Sequence, residues 1–235
     1  MSFFTFRTVE IAPDVYQLPA FGARVTVVVS KRGLLLVDTG ARGSGGLIAK
    51  SLKHLGYSLE QVQMLVLTHT HPDHAGAIAA VVKNTQARIA VHESEVDGIS
   101  GVTPNPNPFR GRFMGRFTKR LLPLLYDGPA HVDYSLSDGT LLDWSEEVRI
   151  VHTPGHTQGS ISLYLPAKRL VIVGDALQYR LRRLSLPARA VSHDLRQAKD
   201  SLKRLLIFDF EVLAFSHFPP LRKEARRLVE NLINK

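Results

Sequence analysis

Seven consecutive residues, Thr68-His69-Thr70-His71-Pro72-Asp73-His74, restrict what this chain can fold into more than any other segment. They follow an apolar run at 62–68 (VQMLVLT) that reads as a buried strand, and they open an alanine-rich stretch at 74–83 that reads as a helix. In an extended segment alternate side chains point the same way, so His69 and His71 converge on one point. Pro72 then turns the chain and aims Asp73 and His74 elsewhere. So many polar, ionisable groups at the end of a buried strand are costly unless a charge or a metal ion compensates them. The spacing therefore predicts a loop that supplies ligands to two neighbouring cations.

The rest of the chain supplies a frame for that loop. Strands are expected at 24–30, 33–37, 62–68, 88–92, 148–152, 161–165, 170–173 and 211–215, and helices at 44–55, 74–83, 193–208 and 221–234. Such interleaving predicts an α/β fold with helices covering sheet faces. With 235 residues, a single domain spanning 1–235 is expected. Between about 98 and 134 the pattern breaks at Pro104, Pro106 and Pro108, and a basic, aromatic stretch at 109–125 reads as a partly helical insertion or lid. One internal echo, GLLLVDTG at 33–40 and RLVIVGDA at 169–176, pairs two apolar strands that each end in aspartate beside glycine. It hints at two related halves packed sheet to sheet.

Composition narrows the chemistry. The chain has no cysteine, so any metal must be held by nitrogen and oxygen. No segment reaches the roughly 18 apolar residues of a membrane helix, and the start MSFFTFRTVE lacks the marks of a signal peptide. A cytoplasmic location is the expectation. The formal charge of +9 invites anionic partners, although a solvated basic surface explains it as well.

Three further residues stand at expected carboxyl ends of strands, the usual edge for ligand sites in α/β sheets. They are His156 in Thr153-Pro154-Gly155-His156-Thr157, Asp175 after RLVIVG, and His217 in Ser216-His217-Phe218. Singly, each also reads as an ordinary loop or turn residue. Asp38, in Val37-Asp38-Thr39-Gly40, is either a turn aspartate or the acceptor that fixes the tautomer of a metal-bound histidine. His54, His92, His131, His152 and His193 fit no ligand spacing.

Together these pieces resemble the metallo-β-lactamase superfamily. HxHxDH, a histidine in a TPGHT-type turn, an aspartate after a strand and a late histidine occur in the family's order, and the resemblance spans nearly the whole chain. It implies a four-layer αβ/βα sandwich with the site at one edge of the two sheets. It also implies one metal on His69, His71 and His156, a second on Asp73, His74 and His217, and Asp175 bridging them. Zn²⁺, two per chain, suits such a donor set, with Fe or Mn as alternatives. Two cations about 3.5–4 Å apart acidify a shared water toward a pKa of about 7. The resulting metal-bound hydroxide attacks a carbonyl, with Asp73 as the catalytic carboxylate that both ligates and orients it.

The bridging aspartate directs the resemblance toward the glyoxalase II-like thioesterases and acyl-homoserine lactonases, because the β-lactamases of the superfamily usually lack it. A small-molecule thioester, ester or lactone, anionic or acyl-bearing, is the implied substrate. The chain departs from these relatives in three ways. It ends before the basic helical region of glyoxalase II. Gln178 stands where the lactonases carry tyrosine, with Tyr179 one residue later. Ser216-His217-Phe218 replaces Gly-His-Gly, so that Phe218 would narrow the pocket. Tyr179, Arg180 and Phe218 are the candidate substrate-binding residues. Arg180, Arg182 and Arg183, and the cluster Arg110, Arg112, Arg116, Lys119 and Arg120 interleaved with Phe109, Phe113, Met114 and Phe117, read either as substrate contacts or as a solvated face or homodimer contact. A mononuclear-iron persulfide dioxygenase is the alternative, followed by a nuclease or a β-lactamase. Nucleic acid is not the expected partner.

Overall fold

The computed structural model describes residues 7–104, 107–108, 121–142, 144 and 146–235. Two mixed sheets face each other, and each carries helices on its outer face. The first sheet holds β1 (Val9–Ala12), β2 (Val15–Pro19), β3 (Arg24–Ser30), β4 (Gly33–Val37), β5 (Val62–Val66), β6 (Arg88–His92) and β7 (Tyr134–Leu136) in sequence order. Pairs up to β3–β4 are antiparallel, and β4 to β7 run parallel. The second sheet contains β8 (Leu141–Leu142), β9 (Val148–His152), β10 (Ile161–Leu165), β11 (Leu170–Gly174) and β14 (Val212–Phe215), ordered 14-11-10-9-8. A separate ribbon pairs β12 (Gln178–Arg180) with β13 (Arg183–Ser185).

Three apolar layers follow from the strand pleat, because alternate side chains leave opposite faces. Val28, Leu35 and Val66 from the first sheet meet Ile150, Leu163, Ile172 and the single tryptophan, Trp144, from the second. The opposite faces, such as Leu34, Leu36 and Leu65, pack against Ile48 and Leu52 of α1 (Gly45–His54) and against Ile78 and Val81. On the other side Val171, Val173 and Leu213 pack under Leu202, Leu205 and Val229. This is the expected αβ/βα sandwich.

Several boundaries differ from those expected, each for a visible reason. The strand expected to reach Thr68 ends at Val66, because the Thr68 N–H donates to Asp38 Oδ1 at 2.8 Å rather than to a neighbouring strand. The helix expected over 74–83 is two short helices, α2 (Pro72–Ala75) and α3 (Ile78–Val82). Between them the Ala77 N–H leaves the helical ladder to donate to Gly40 O at 3.1 Å. Residues 193–208 form α5 (Leu195–Ser201), capped by Asp194, followed by 3₁₀ turns at Leu202–Ile207; α4 is the short Val96–Ile99. The last helix, α6 (Ala225–Ile233), begins four residues later than expected because Leu221 bridges antiparallel to Leu213. Short strands β1, β2, β7, β8, β12 and β13 had no periodic signal of their own. The basic aromatic residues 109–120 lie outside the described residues. Among the described residues no helix is long and apolar enough to cross a membrane.

Hydrogen bonds close the sandwich at one edge. Arg24 N–H donates to Ser216 O at 2.7 Å, Gln17 Nε2 to Phe215 O at 2.8 Å, and Ile161 N–H to Thr68 O at 2.9 Å. Each ties one sheet to a ligand-bearing loop of the other or to the strand end that leads into it. Leu163, fully buried between the sheets, is expected to cost about 2–5 kcal/mol when replaced by alanine. Denaturant unfolding followed by Trp144 fluorescence checks this.

Candidate metal centre

The ligand candidates gather where the strands of both sheets end. β5 runs out into Leu67–Thr70, and His71 is still extended at φ −60°, ψ 151° before Pro72 opens α2 as its first residue. Proline suits that position because its missing N–H would be unpaired there anyway. The switch from extended to helical backbone turns Asp73 and His74 away from His69 and His71. His156 sits in the turn after β9, held by His193 N–H to His156 O at 2.9 Å and Asp194 N–H to Gly155 O at 2.8 Å. Asp175 follows β11. Gly174, at φ +51°, must lack a side chain because a Cβ would lie 2.8 Å from Thr68 Cβ. His217 follows β14.

All seven residues from the sequence reading come together in three overlapping groups: His69, His71 and His156; His69, His74 and Asp175; and Asp73, His74 and His217. His156 Nε2 faces His71 Nδ1 at 2.9 Å. Asp175 presents Oδ2 to His217 Nε2 at 3.2 Å and to His156 Nε2 at 3.6 Å, and Oδ1 to His74 Nε2 at 3.5 Å. Asp73 Oδ2 lies 3.3 Å from His217 Nε2 and 3.9 Å from His74 Nε2. Donor atoms of one tetrahedral zinc stand roughly 3.3 Å apart, so these separations suit shared cations. His69 Nε2 and His74 Nε2 are buried and have no hydrogen-bond partner among the described residues. Buried polar atoms without partners are uncommon and ask for an explanation. A cation supplies one.

The other ring nitrogens are engaged in ways that leave these Nε2 atoms pointing inward. His74 Nδ1 donates to Asp38 Oδ2 at 2.8 Å. His69 Nδ1 meets Thr68 Oγ1 at 3.1 Å, whose own proton goes to Asp38 Oδ2 at 2.9 Å. His156 Nδ1 lies 3.3 Å from Ser192 Oγ. Asp38 is fully buried in the left-handed region at φ +66°, a conformation aspartate tolerates better than most residues. Thr39 holds the carbonyl of His74 through both its N–H (2.7 Å) and its hydroxyl (2.8 Å). Asp38 thus holds the His74 ring through Nδ1.

Protonation divides the site. Burial, reinforced by neighbouring imidazoles, holds His69 and His71 well below the usual histidine range, and burial also lowers His156 against the pull of Asp175. His74 is raised: burial opposes its charge, but Asp38, Asp175 and Asp73 outweigh it. His217 is raised despite burial because Asp175 faces it. Burial disfavours the Asp175 carboxylate, yet His74 and His217 hold it well below the usual range.

A cavity of about 800 Å³ opens on His71, Asp73, His156, Asp175 and His217. That volume lies within the range of small-molecule sites. Pro108, Leu124, Leu125 and Val191 form an apolar wall, with Arg42 and Gln178 as polar additions. Tyr179, Arg180 and Phe218 are not among its lining residues. Tyr179 stacks on Phe215 at 5.9 Å, Phe218 packs under the second sheet, and Arg180 is exposed on the β12–β13 ribbon opposite Arg183. His92 and His152, without ligand spacing, stack on each other at 4.0 Å. Sequence reasoning missed Glu95 and Tyr126, which hold the ligand loops: the Tyr126 hydroxyl donates to Thr70 O at 2.6 Å. Nothing local in Glu93-Ser94-Glu95 signals a buried acid.

The sequence profile of the metallo-beta-lactamase superfamily matches residues 18–217. The chain is 28% identical to the probable metallo-hydrolase YflN of Bacillus subtilis over 97% of its own length and 89% of that protein's. It is 29% identical to a hydroxyacylglutathione hydrolase of Cereibacter sphaeroides over 56% of its length and 39% of that protein's. The crystal structure of a metallo-beta-lactamase family protein from Thermus thermophilus superposes with a TM-score of 0.73 at 24% identity, covering 96% of this chain and 80% of that one.

Because facing carboxylates favour the protonated forms of His74 and His217, a cation must compete with protons there, and metal affinity is expected to fall as pH is lowered from about 8 to about 6. Competition against a chelator across that range measures the fall. Uptake of metal should also release protons, seen as a buffer-dependent enthalpy in titration calorimetry.

Proposed function

The chain belongs to the metallo-β-lactamase superfamily, and from that premise we propose that it is a dinuclear metal-dependent hydrolase of thioesters, esters or lactones. In this reading His69, His71 and His156 hold one cation, Asp73, His74 and His217 hold the other, and Asp175 serves both. The observation that carries it is the pair of buried Nε2 atoms on His69 and His74 that make no hydrogen bond among the described residues, grouped with the Asp175 carboxylate. Zinc ions bound there would supply Lewis acidity and water acidified toward neutral pH.

The chain's own residues do the rest. Asp73 is the most exposed carboxylate of the cluster, with 36% of its side chain open. Its Oδ1 has no hydrogen bond among the described residues and is free to accept a proton at the cavity floor. Asp38 keeps the His74 proton on Nδ1. Pro108, Leu124, Leu125 and Val191 bind an apolar acyl body and exclude water, while Arg42, whose guanidinium donates to Leu124 O at 3.0 Å, lines the same space. Tyr179, Arg180 and Phe218 have no part in this reading, and Gln178 and Arg42 take their place as substrate contacts. The partial match to hydroxyacylglutathione hydrolases supports an ester-type carbonyl as the target.

Metal quantification on the purified protein, coupled to a panel of thioester, lactone, phosphoester and β-lactam substrates, tests the reading. Two zinc ions per chain with ester or thioester turnover is the expected result, and one iron per chain with oxygen uptake would replace it with a dioxygenase. His71→Ala is expected to abolish hydrolysis and lower metal content while the chain keeps its far-ultraviolet circular dichroism. Full activity in that variant contradicts the ligand assignment.

A further inference from the structure

Glu95 lies outside every ligand group, yet it is buried beside one of them. It ends the 3₁₀ turn Glu93–Glu95 after β6 and is 5% exposed. Three donors converge on its carboxylate. The Thr70 hydroxyl donates to Oε2, the Thr157 hydroxyl to Oε1 at 2.6 Å, and the Gly159 N–H to Oε1 at 3.1 Å. Thr70 stands between His69 and His71, and Thr157 directly follows His156. One side chain therefore ties together the two loops that carry this histidine trio, and among the described residues it makes no hydrogen bond or ion pair to Asp73, His74 or His217. The fit is close: a Cβ on Gly159 would lie 2.3 Å from Glu95 Cγ.

The charge matters as well as the hydrogen bonds. Among the described residues no cationic side chain pairs with Glu95. A buried carboxylate without a positive partner is expensive, and a dication on the neighbouring trio would offset that cost. We propose that Glu95 is a positioning residue that holds the His69, His71 and His156 trio preformed for one cation, both by linking its two loops and by placing a negative charge behind them. This rests on the ligand assignment above. It gives that trio a support distinct from Asp38, which backs His74 directly and His69 through the Thr68 hydroxyl.

Cobalt(II) titration of the metal-free protein, followed by visible absorption and by competition with a chelator, tests the proposal without reference to activity. Glu95→Ala is expected to weaken one of two binding events by about tenfold or more, the usual cost of losing an outer partner of a metal ligand, and to leave the other within about twofold. Glu95→Gln keeps the shape and part of the hydrogen bonding and should recover part of the loss. Asp38→Ala, by contrast, should weaken both events, because Asp38 backs His74 directly and His69 through Thr68. Two unchanged affinities in Glu95→Ala overturn the proposal. So does an equal loss of both events accompanied by a lowered thermal transition of the metal-free protein, which would make Glu95 merely structural. If Glu95→Ala does not fold, Thr157→Val removes one of the three bonds and must still weaken the same event selectively. A wild-type protein that takes up only one cation defeats the dinuclear reading, and Glu95→Ala then either weakens that single event or refutes the role given to Glu95.

Discussion

The imidazole of His74 lies between two carboxylates that come from different sheets. Asp38, at the end of β4, accepts a hydrogen bond from its Nδ1 at 2.8 Å, and Asp175, at the end of β11, stands 3.5 Å from its Nε2. Everything else at the site depends on that arrangement. It requires the two sheets to end at the same edge, at a spacing of one imidazole ring. The cross-sheet hydrogen bonds of Arg24, Gln17 and Ile161 hold the edge closed, and the apolar layer of Leu35, Val66, Leu163 and Ile172 supplies the force that keeps the sheets together. The two aspartates are the ones in the echo GLLLVDTG and RLVIVGDA. What looked like a weak internal repeat is a matched pair of strand ends acting on opposite sides of one histidine.

The centre is polar, buried and charged, which a protein tolerates only if each group is accounted for. Thr68 passes its hydroxyl proton to Asp38 and receives from His69, Ser192 stands by His156, and Thr39 holds the backbone of His74. These engage the outward nitrogens, and what is left over, the Nε2 atoms of His69 and His74, points inward. The electrostatics follow the same division. The histidines packed among other histidines are pushed toward the neutral form, and the two facing carboxylates toward the protonated one. A cation bound there would compete with those protons and satisfy the inward atoms together.

Much of this was legible in the chain. The apolar strands Arg24–Ser30, Gly33–Val37, Arg88–His92, Val148–His152 and Ile161–Leu165 stand where their composition placed them, because a buried strand needs a continuous apolar run and little else supplies one. The helix after His74 was not legible as two pieces, because its break is made by a backbone bond to Gly40, distant in sequence. Tyr179, Arg180 and Phe218 were chosen by proximity in sequence to Asp175 and His217. The ribbon after Asp175 turns Tyr179 onto Phe215 instead of toward the cavity.

The sequence by itself determined the donor set: imidazole and carboxylate without thiolate, at a spacing that needs a strand followed at once by a turn and a helix. That information is local, and the pleat and the proline are enough to express it. Only the tertiary structure decided which groups stand behind the ligands and which walls face the cavity. Glu95, Tyr126, Arg42, Leu124 and Leu125 reach the centre from segments with no pattern of their own. Their burial and partners exist only once the two sheets have closed, because a hydrogen bond between distant loops leaves no periodic trace in either.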